Sequence, residues 1–328
     1  MIALPGYTLT ELIHEGASTA IARGQRDSDG AGVIIKMLRG DFPTALDRAR
    51  LRHEHALLSE LSGRGIVPVR ALESSGDHLA LVMEDVGLSS LERRLGAGRD
   101  VGLVLRVALE VTAILRRAHE RRIVHKDVKP HNILVGLDPL RVYLIDWGIA
   151  ARLSEASRDG ARPPQGEGTL AYISPEQTGM VDRPVGPPSD LYSLGVMLYQ
   201  MLTGVLPFAD HDPAALVQSH LTRAPIPPRD VAPRVPGQLS DIVMKLLAKS
   251  ADDRYASARG LELDLAECLS QWERSGRVEP FPLGRRDRSG ELRPPQRLIG
   301  REAEVAEVLS AFERVRRGAA ELVLVTGY

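Results

Sequence analysis

The chain has 328 residues, which corresponds to about two domains. Its 43% hydrophobic and 26% charged residues are ordinary for a folded globular protein and exclude a mainly disordered or collagen-like chain. The formal net charge is −1, from 42 basic and 43 acidic residues, so no global positive field points to nucleic acid or an anionic membrane.

The single cysteine, Cys268, excludes a disulfide framework within the chain and a multi-thiolate zinc site. The opening MIALPGYTLTELIHEG lacks a basic stretch followed by an apolar core, so it does not read as a signal peptide. No apolar run approaches the roughly 18 residues of a spanning helix. The expectation is a cytoplasmic protein without a membrane segment.

Residues 7–40 read as short strands joined by turns: YTLTELI, then TAIARGQ, then, after DSDG, the β-branched run GVIIKML. Residues 44–62 read as a helix, with Leu51, Leu57, Leu58 and Leu61 at helical spacing. Two more strands follow, IVPVRALES and HLALVMEDV. Asp100 is a candidate N-cap for a helix over 101–121, with Val104, Val107, Val111, Ile114 and Leu115 on one face. The short strands RIVH, NILV and VYLIDWG come next, then a Gly-, Pro-, Arg- and Ser-rich loop at 151–168. The pattern is helical from 189, broken by proline-rich stretches, with a last helix over 257–274.

Residues 275–297 are Pro-, Gly- and charge-rich with little periodicity, a linker by composition. Arg285, Arg286, Arg288, Arg293 and Arg297 lie in it. Asp287 and Glu291 interleave them and no aromatic does, so a solvated linker is expected, not a nucleic-acid contact. Residues 301–318 form an amphipathic helix with Val305, Val308, Leu309, Phe312 and Val315 on one face. ELVLV then reads as a buried strand.

Only five of the basic residues are lysines: Lys36, Lys126, Lys129, Lys245 and Lys249. Three of them fall in or near one constellation. His125-Lys126-Asp127-Val128-Lys129-Pro130-His131-Asn132 resembles the catalytic loop H-R-D-x-x-x-x-N of eukaryotic-type protein kinases. Asp146-Trp147-Gly148, fourteen residues beyond Asn132, is similar to the family's D-F-G. Val33-Ile34-Ile35-Lys36 matches its strand lysine, and Glu54 stands eighteen residues later inside the predicted helix. Ser174-Pro175-Glu176 stands for A-P-E, residues 189–195 resemble the central helix signature, and Arg254 sits where an arginine pairs with that glutamate. Asp and Asn are also common turn formers. The assignment rests on seven matches in order, covering about residues 7–272.

The resemblance implies an α+β, bilobal protein-kinase fold: a β-rich N-lobe at 1–86 and a helical C-lobe at 87–274. It implies an ATP- and Mg²⁺-dependent Ser/Thr protein kinase acting on protein hydroxyls. The roles it implies suit a reaction that needs positioning and charge neutralisation more than covalent chemistry. Lys36, oriented by Glu54, holds the α/β-phosphates. Asp127 accepts the hydroxyl proton, and Lys129 reaches the γ-phosphate. Asn132 and Asp146 are oxygen ligands for Mg²⁺. Met83 is the gatekeeper of the adenine pocket, Glu84 and Val86 offer hinge backbone groups, and Ile13, Ile21, Ile34 and Leu134 sandwich the ring. Thr169 borders the substrate hydroxyl. His125 under Trp147, Asp190 behind the catalytic loop and the Glu176–Arg254 pair are expected to be structural.

The chain departs from the family pattern in several places. In His14-Glu15-Gly16-Ala17-Ser18-Thr19 only Gly16 of the glycine-rich loop remains, which implies a stiffer loop. Ile34 replaces an alanine above the adenine. Lys126 replaces an arginine able to grip a phosphate bidentately, which implies activity independent of phosphorylation at Ser154 or Ser157. These departures keep open an alternative, a nucleotide-binding pseudokinase or scaffold.

The tail, Leu298-Ile299-Gly300-Arg301-Glu302 followed by a helix and a strand ending at Gly327, resembles the opening of an AAA/STAND-type ATPase domain. That resemblance implies a truncated ATPase start at 298–328 and, as partners, the remaining ATPase and sensor domains of a larger signalling protein. The stub is expected to be loosely ordered or to pack its apolar face on another surface.

Overall fold

A computed structural model describes residues 4–16, 18–39, 43–75, 78–94, 100–153, 170–287, 301–318 and 320–324. Ala17, Ser154, Ser157, Thr169, Arg288, Arg293, Arg297, residues 298–300 and Gly327 lie outside them. The chain divides into two units, Met1–Arg288 and Ser289–Tyr328.

The first unit begins with a five-stranded antiparallel sheet. Its strands are β1 (Tyr7–Glu15), β2 (Thr19–Arg26), β3 (Gly32–Leu38), β4 (Val69–Ser75) and β5 (His78–Glu84), in the order β1-β2-β3-β5-β4. Pleat alternation sorts β3 into two faces. Val33, Ile35 and Met37 are buried with Leu4, Ala22, Ala80 and Val82, while Ile34 and Lys36 lie on the opposite face. Register then puts Ile21 beside Lys36 and Met83 beside Ile34, because directly paired residues share a face. The predicted strand from residue 66 starts three residues later, since Pro68 has no N–H for a ladder. Ile66 instead makes a lone bridge to Leu144.

Helix α1 (Ala45–Leu61) is opened by Thr44, whose hydroxyl accepts from Asp47 N at 3.1 Å. It buries Leu51, Leu57, Leu58 and Leu61, and also Glu54. The helical half follows. Asp100 caps α2 (Val101–Glu120), accepting from Leu103 N at 2.8 Å. Two short sheets carry the polar loops: β6 (Ser89–Ser90) with β8 (Ile133–Leu137) and β9 (Leu140–Leu144), and β7 (Ile123–Val124) with β10 (Ala151–Arg152). Helix α3 (Pro187–Thr203) runs nearly buried through the centre, starting on two prolines and stopping at Gly204. Helices α4 (Pro213–Thr222), α5 (Gly237–Leu246) and α6 (Ala258–Ser275) follow, α5 packing on α3 and α6 on α2. One apolar core runs from Leu81 and α1 through α2 and α3 to Cys268, so the two lobes share a packed centre. The α+β, bilobal class is the one observed.

The composition-based linker is corrected over its first half. Phe281 exchanges two hydrogen bonds with Gln238, Gln238 Nε2 donating at 2.7 Å and Phe281 N donating at 3.3 Å. Glu279 N donates to Gln271 Oε1 and Gly284 N to Asp264 Oδ2, both at 2.7 Å. Asp287 accepts from Ala256 N at 2.6 Å and from Ser257 N and Oγ at 3.1 and 2.7 Å. A Cβ at position 260 would stand 2.4 Å from the Asp287 carboxyl, so a larger residue there would displace that side chain. Residues 277–287 are therefore a docked strap.

In the second unit, α7 (Glu302–Arg316) is helical as expected, with Leu309 and Phe312 exposed. The expected strand at 321–325 is not formed over its described residues, 321–324, and Leu322 is 92% exposed. A strand needs a neighbouring edge to satisfy its backbone, and none is paired with it among the described residues.

Candidate active site

The cleft between the sheet and the helical half gathers the polar constellation. Lys36 projects from β3 and donates to Glu54 Oε2 of α1 and to Asp146 Oδ1, each at 2.8 Å. Helix α1 is thus held against the sheet by an ion pair whose carboxylate is 4% exposed. Burial opposes ionisation of Lys36, but the two carboxylates outweigh it and raise its pKa, so it stays an ammonium. Burial dominates at Glu54 and pushes its carboxyl up against the pull of Lys36. Asp146 is also penalised by its recessed position, yet Lys36 holds it below its ordinary value. The backbone reverses at Asp146, with φ +63°, a left-handed conformation costly for a non-glycine residue.

The loop from His125 to Asn132 is built on three supports. Asp190 of α3, fully buried, accepts from His125 N at 2.9 Å and Lys126 N at 2.8 Å. His119 Nε2 donates to the same carboxylate at 2.8 Å. Burial alone would raise the Asp190 pKa, but these donors outweigh it and lower it. Lys126, at φ +69°, is held from the other side by Gln177 Nε2, which donates to its carbonyl at 2.7 Å. His125 donates from Nε2 to Ile145 O at 3.1 Å and accepts from Asp127 N on Nδ1 at 3.2 Å, which fixes its tautomer. Its ring meets Trp147 edge-on at 4.6 Å, and burial depresses its pKa, so it packs as a neutral imidazole.

These supports present Asp127. Lys129 Nζ donates to its Oδ2 at 2.7 Å and Asn132 Nδ2 to the same oxygen at 2.9 Å. Asn132 Nδ2 also donates to Asp127 O at 2.9 Å, so both its bonds here use the amide nitrogen and leave its oxygen as an available ligand. Among the described residues, no donor reaches Asp127 Oδ1. Also among them, no group of three or more His, Cys, Asp or Glu side chains could hold a metal by itself. One carboxylate and one amide oxygen nevertheless suit Mg²⁺, which keeps waters and phosphates in its shell. The donor set therefore fits the implied ion.

The remaining predicted residues differ in exposure and in their backbone bonds. Ile21, Ile34, Met83 and Leu134 are partly buried, whereas Ile13 is 36% exposed. Glu84 N is committed to Pro68 O at 2.9 Å, so of its backbone groups only the carbonyl can serve a ligand. Among the described residues, no hydrogen bond engages the Val86 backbone. Gly16 N closes the β1–β2 turn on Thr19 O at 2.8 Å. Away from the cleft, Arg254 grips Glu176 bidentately, at 2.7 and 3.1 Å.

Sequence reading missed several supporting residues. Arg39 donates to Gly16 O and pairs with Glu15, both at 2.7 Å, and its N–H donates to Ser18 O at 2.9 Å. The glycine-poor loop is therefore clamped by the residue that follows β3. His119 and Gln177 were missed too, since neither carries a spacing signal.

Comparison with known proteins agrees with this geometry. A family model described as the protein kinase domain matches residues 7–265. The chain is 34% identical over 283 residues to serine/threonine-protein kinase Pkn1 of Myxococcus xanthus, covering 85% of this chain and 40% of that protein. It is 32% identical over 270 residues to serine/threonine-protein kinase PknB of Mycolicibacterium smegmatis, covering 79% and 42%. It is 36% identical over 264 residues to serine/threonine-protein kinase pkn2 of Myxococcus xanthus, covering 78% and 31%. The matched region thus spans well under half the length of these curated relatives.

Proposed function

The chain belongs to the protein kinase family, and from that membership we propose that it transfers the γ-phosphoryl group of ATP to serine or threonine hydroxyls of a protein substrate. The observation that carries this reading is the Asp127 cluster, with Lys129 and Asn132 both on Oδ2 and no donor from the described residues on Oδ1. A serine or threonine O–H at Oδ1 gives up its proton as its oxygen forms the new P–O bond and the bond to the ADP oxygen breaks. Lys129 sits where it can offset charge on the transferring group. Lys36, kept cationic and aimed by Glu54, binds the α/β-phosphates. Mg²⁺, when bound through Asp146 and the Asn132 oxygen, supplies charge neutralisation on the phosphates. Ile13, Ile21, Ile34 and Leu134 enclose the adenine beside Met83. The Glu84 carbonyl and the Val86 backbone read its edge.

Residues 298–328 are proposed, on their sequence resemblance, as the opening of an AAA/STAND-type ATPase domain, and the rest of that domain, with sensor domains, as partners of the kinase unit. We also propose a cytoplasmic location; no helix among the described residues is long and apolar enough to cross a membrane.

The test is transfer of label from γ-radiolabelled ATP to the protein itself and to a generic protein substrate, for wild type and Asp127→Asn. Label in the wild type that is lost in the variant supports the kinase. Measurable ATP binding without label favours the scaffold alternative, which the reduced glycine loop and Ile34 recommend.

A further inference from the structure

Helix α1 touches the catalytic parts through two consecutive side chains. Glu54 reaches Lys36 on β3. His53, a partly buried neighbour, reaches the other way: its Nε2 lies 2.9 Å from the carbonyl oxygen of Ala150. A carbonyl only accepts, so Nε2 carries the proton and donates. Adjacent helical residues point about 100° apart, so one rigid turn of α1 contacts two separate elements.

Ala150 is not an arbitrary anchor. It is 3% exposed and closes a turn on Trp147, Ala150 N donating to Trp147 O at 3.1 Å. That turn directly follows Asp146. Ala151, the next residue, pairs with Val124 in the β10–β7 ladder, and Val124 precedes the His125–Asn132 loop. The link through His53 therefore ties together the helix that orients Lys36, the turn that sets Asp146 and the strand that leads into Asp127. A second contact between the same elements, Arg152 to Glu60 at 2.5 Å, is solvent-exposed on both sides and adds little.

We infer that His53 is a positioning residue for phosphoryl transfer: its hydrogen bond to the Ala150 carbonyl holds α1 and the turn after Asp146 in a single arrangement. The inference rests on the kinase reading above. It requires a donor at position 53, not a titrating group, and a glutamine side chain carries an N–H that can reach the same carbonyl.

The test compares wild type with His53→Phe, His53→Ala and His53→Gln. The phenylalanine keeps a ring of similar size without a donor. Loss of one buried hydrogen bond predicts a kcat about ten-fold lower in His53→Phe and His53→Ala, with the KM for protein substrate within about two-fold. His53→Gln should recover kcat to within about three-fold of wild type. Independently of activity, amide hydrogen exchange over 149–152 and 45–61 should be faster in His53→Phe than in wild type and restored in His53→Gln. Wild-type kcat and exchange in His53→Phe would overturn the inference, as would a His53→Gln no better than His53→Phe at equal thermal stability. Asp127→Asn, run in parallel, separates the two ideas. Label persisting there refutes the kinase reading. Label lost there, with the His53 variants indistinguishable from wild type, refutes only the role of His53.

Discussion

Replacing Glu176 by alanine removes the carboxylate that receives Arg254 Nη1 at 2.7 Å, Arg254 Nη2 at 3.1 Å and Ser189 Oγ at 2.8 Å. Neither member of the pair has water to fall back on, since the side chains are 0% and 3% exposed. Breaking a buried ion pair by deleting one partner costs about 3–5 kcal/mol, most of it for the stranded charge. Arg254 also donates to Ala248 O at 2.8 Å and to Pro188 O and Lys249 O at 3.0 Å, so part of its donor set stays satisfied. That argues for the lower end, about 3 kcal/mol. At roughly 2–4 °C per kcal/mol for a domain of this size, the thermal midpoint should fall by about 6–12 °C. Circular dichroism melting and urea titration measure it directly. Glu176→Leu combined with Arg254→Met should recover more than half of the loss, because a buried pair is often replaceable by packed apolar groups. A midpoint drop under about 2 °C in Glu176→Ala, or a double variant no more stable than the single one, would show that desolvation does not govern this pair.

Two further outcomes follow from the same structure. Burial, aided by Lys249, pushes His220 down to about 3, so the folded protein keeps it neutral while the unfolded chain protonates it below about 6.5. Unfolding then takes up a proton between those limits, so its contribution to stability is present above about pH 6.5 and is lost as pH falls. Between pH 7 and pH 5 the loss is about 2 kcal/mol, and urea titrations should show His220→Gln escaping most of it; parallel pH profiles for the two proteins would refute the assignment. Arg39→Ala should raise the KM for ATP by about five-fold with kcat within two-fold, because it frees Gly16 O and Glu15 at an exposed loop where one charge-assisted bond contributes about 1 kcal/mol. Steady-state kinetics at saturating protein substrate checks it, and an unchanged KM would mean the loop holds its shape without Arg39.

The constellation from Lys36 to Arg254 was readable because phosphoryl transfer demands particular side chains in a fixed order. A lysine, a helix carboxylate, an aspartate and an amide oxygen each have a chemical reason to be there. Of the supports behind them Asp190 was readable from its motif, but its partner His119, and Gln177, were not. His119 and Asp190 are 71 residues apart, and Gln177 lies 51 from Lys126, so only the folded chain brings them together. Composition misjudged 277–287 for a related reason. The strap is fixed by backbone N–H groups of Glu279, Phe281 and Gly284 landing on side chains of earlier helices, and Pro- or Gly-rich content does not reveal such acceptors. The run at 321–324 failed in the opposite sense: its apolar residues satisfy the strand pattern, but the partner edge a strand requires lies outside its own sequence.

The energetics of the cleft bear on the choice between an enzyme and a nucleotide-binding scaffold. Glu54 is 3% exposed and its partner Lys36 is nearly as enclosed, whereas Asp146, the second carboxylate on Lys36, is half exposed, so the desolvated charges are those of the Lys36–Glu54 pair. Taking such charges out of water costs several kcal/mol per ion, and their mutual attraction seldom returns more than that. A protein that only held its fold together here would be as stable, or more so, with apolar residues in these places. Asp127 is a parallel case: 9% exposed, it has its loop held by the buried Asp190 and two donors gathered on one oxygen. The glycine loop weighs less in the balance. A Cβ on Gly16 would meet His14 Nε2 and Thr19 O at 3.4 Å, an ordinary contact, so even the remaining glycine is not forced by packing. Arg39 supplies from outside the shape that the missing glycines would otherwise leave to the backbone. A cleft that maintains the desolvated Lys36–Glu54 pair is organised for handling phosphate charge, and the poised Asp127, which a scaffold that only held nucleotide would not need, favours catalysis over scaffolding.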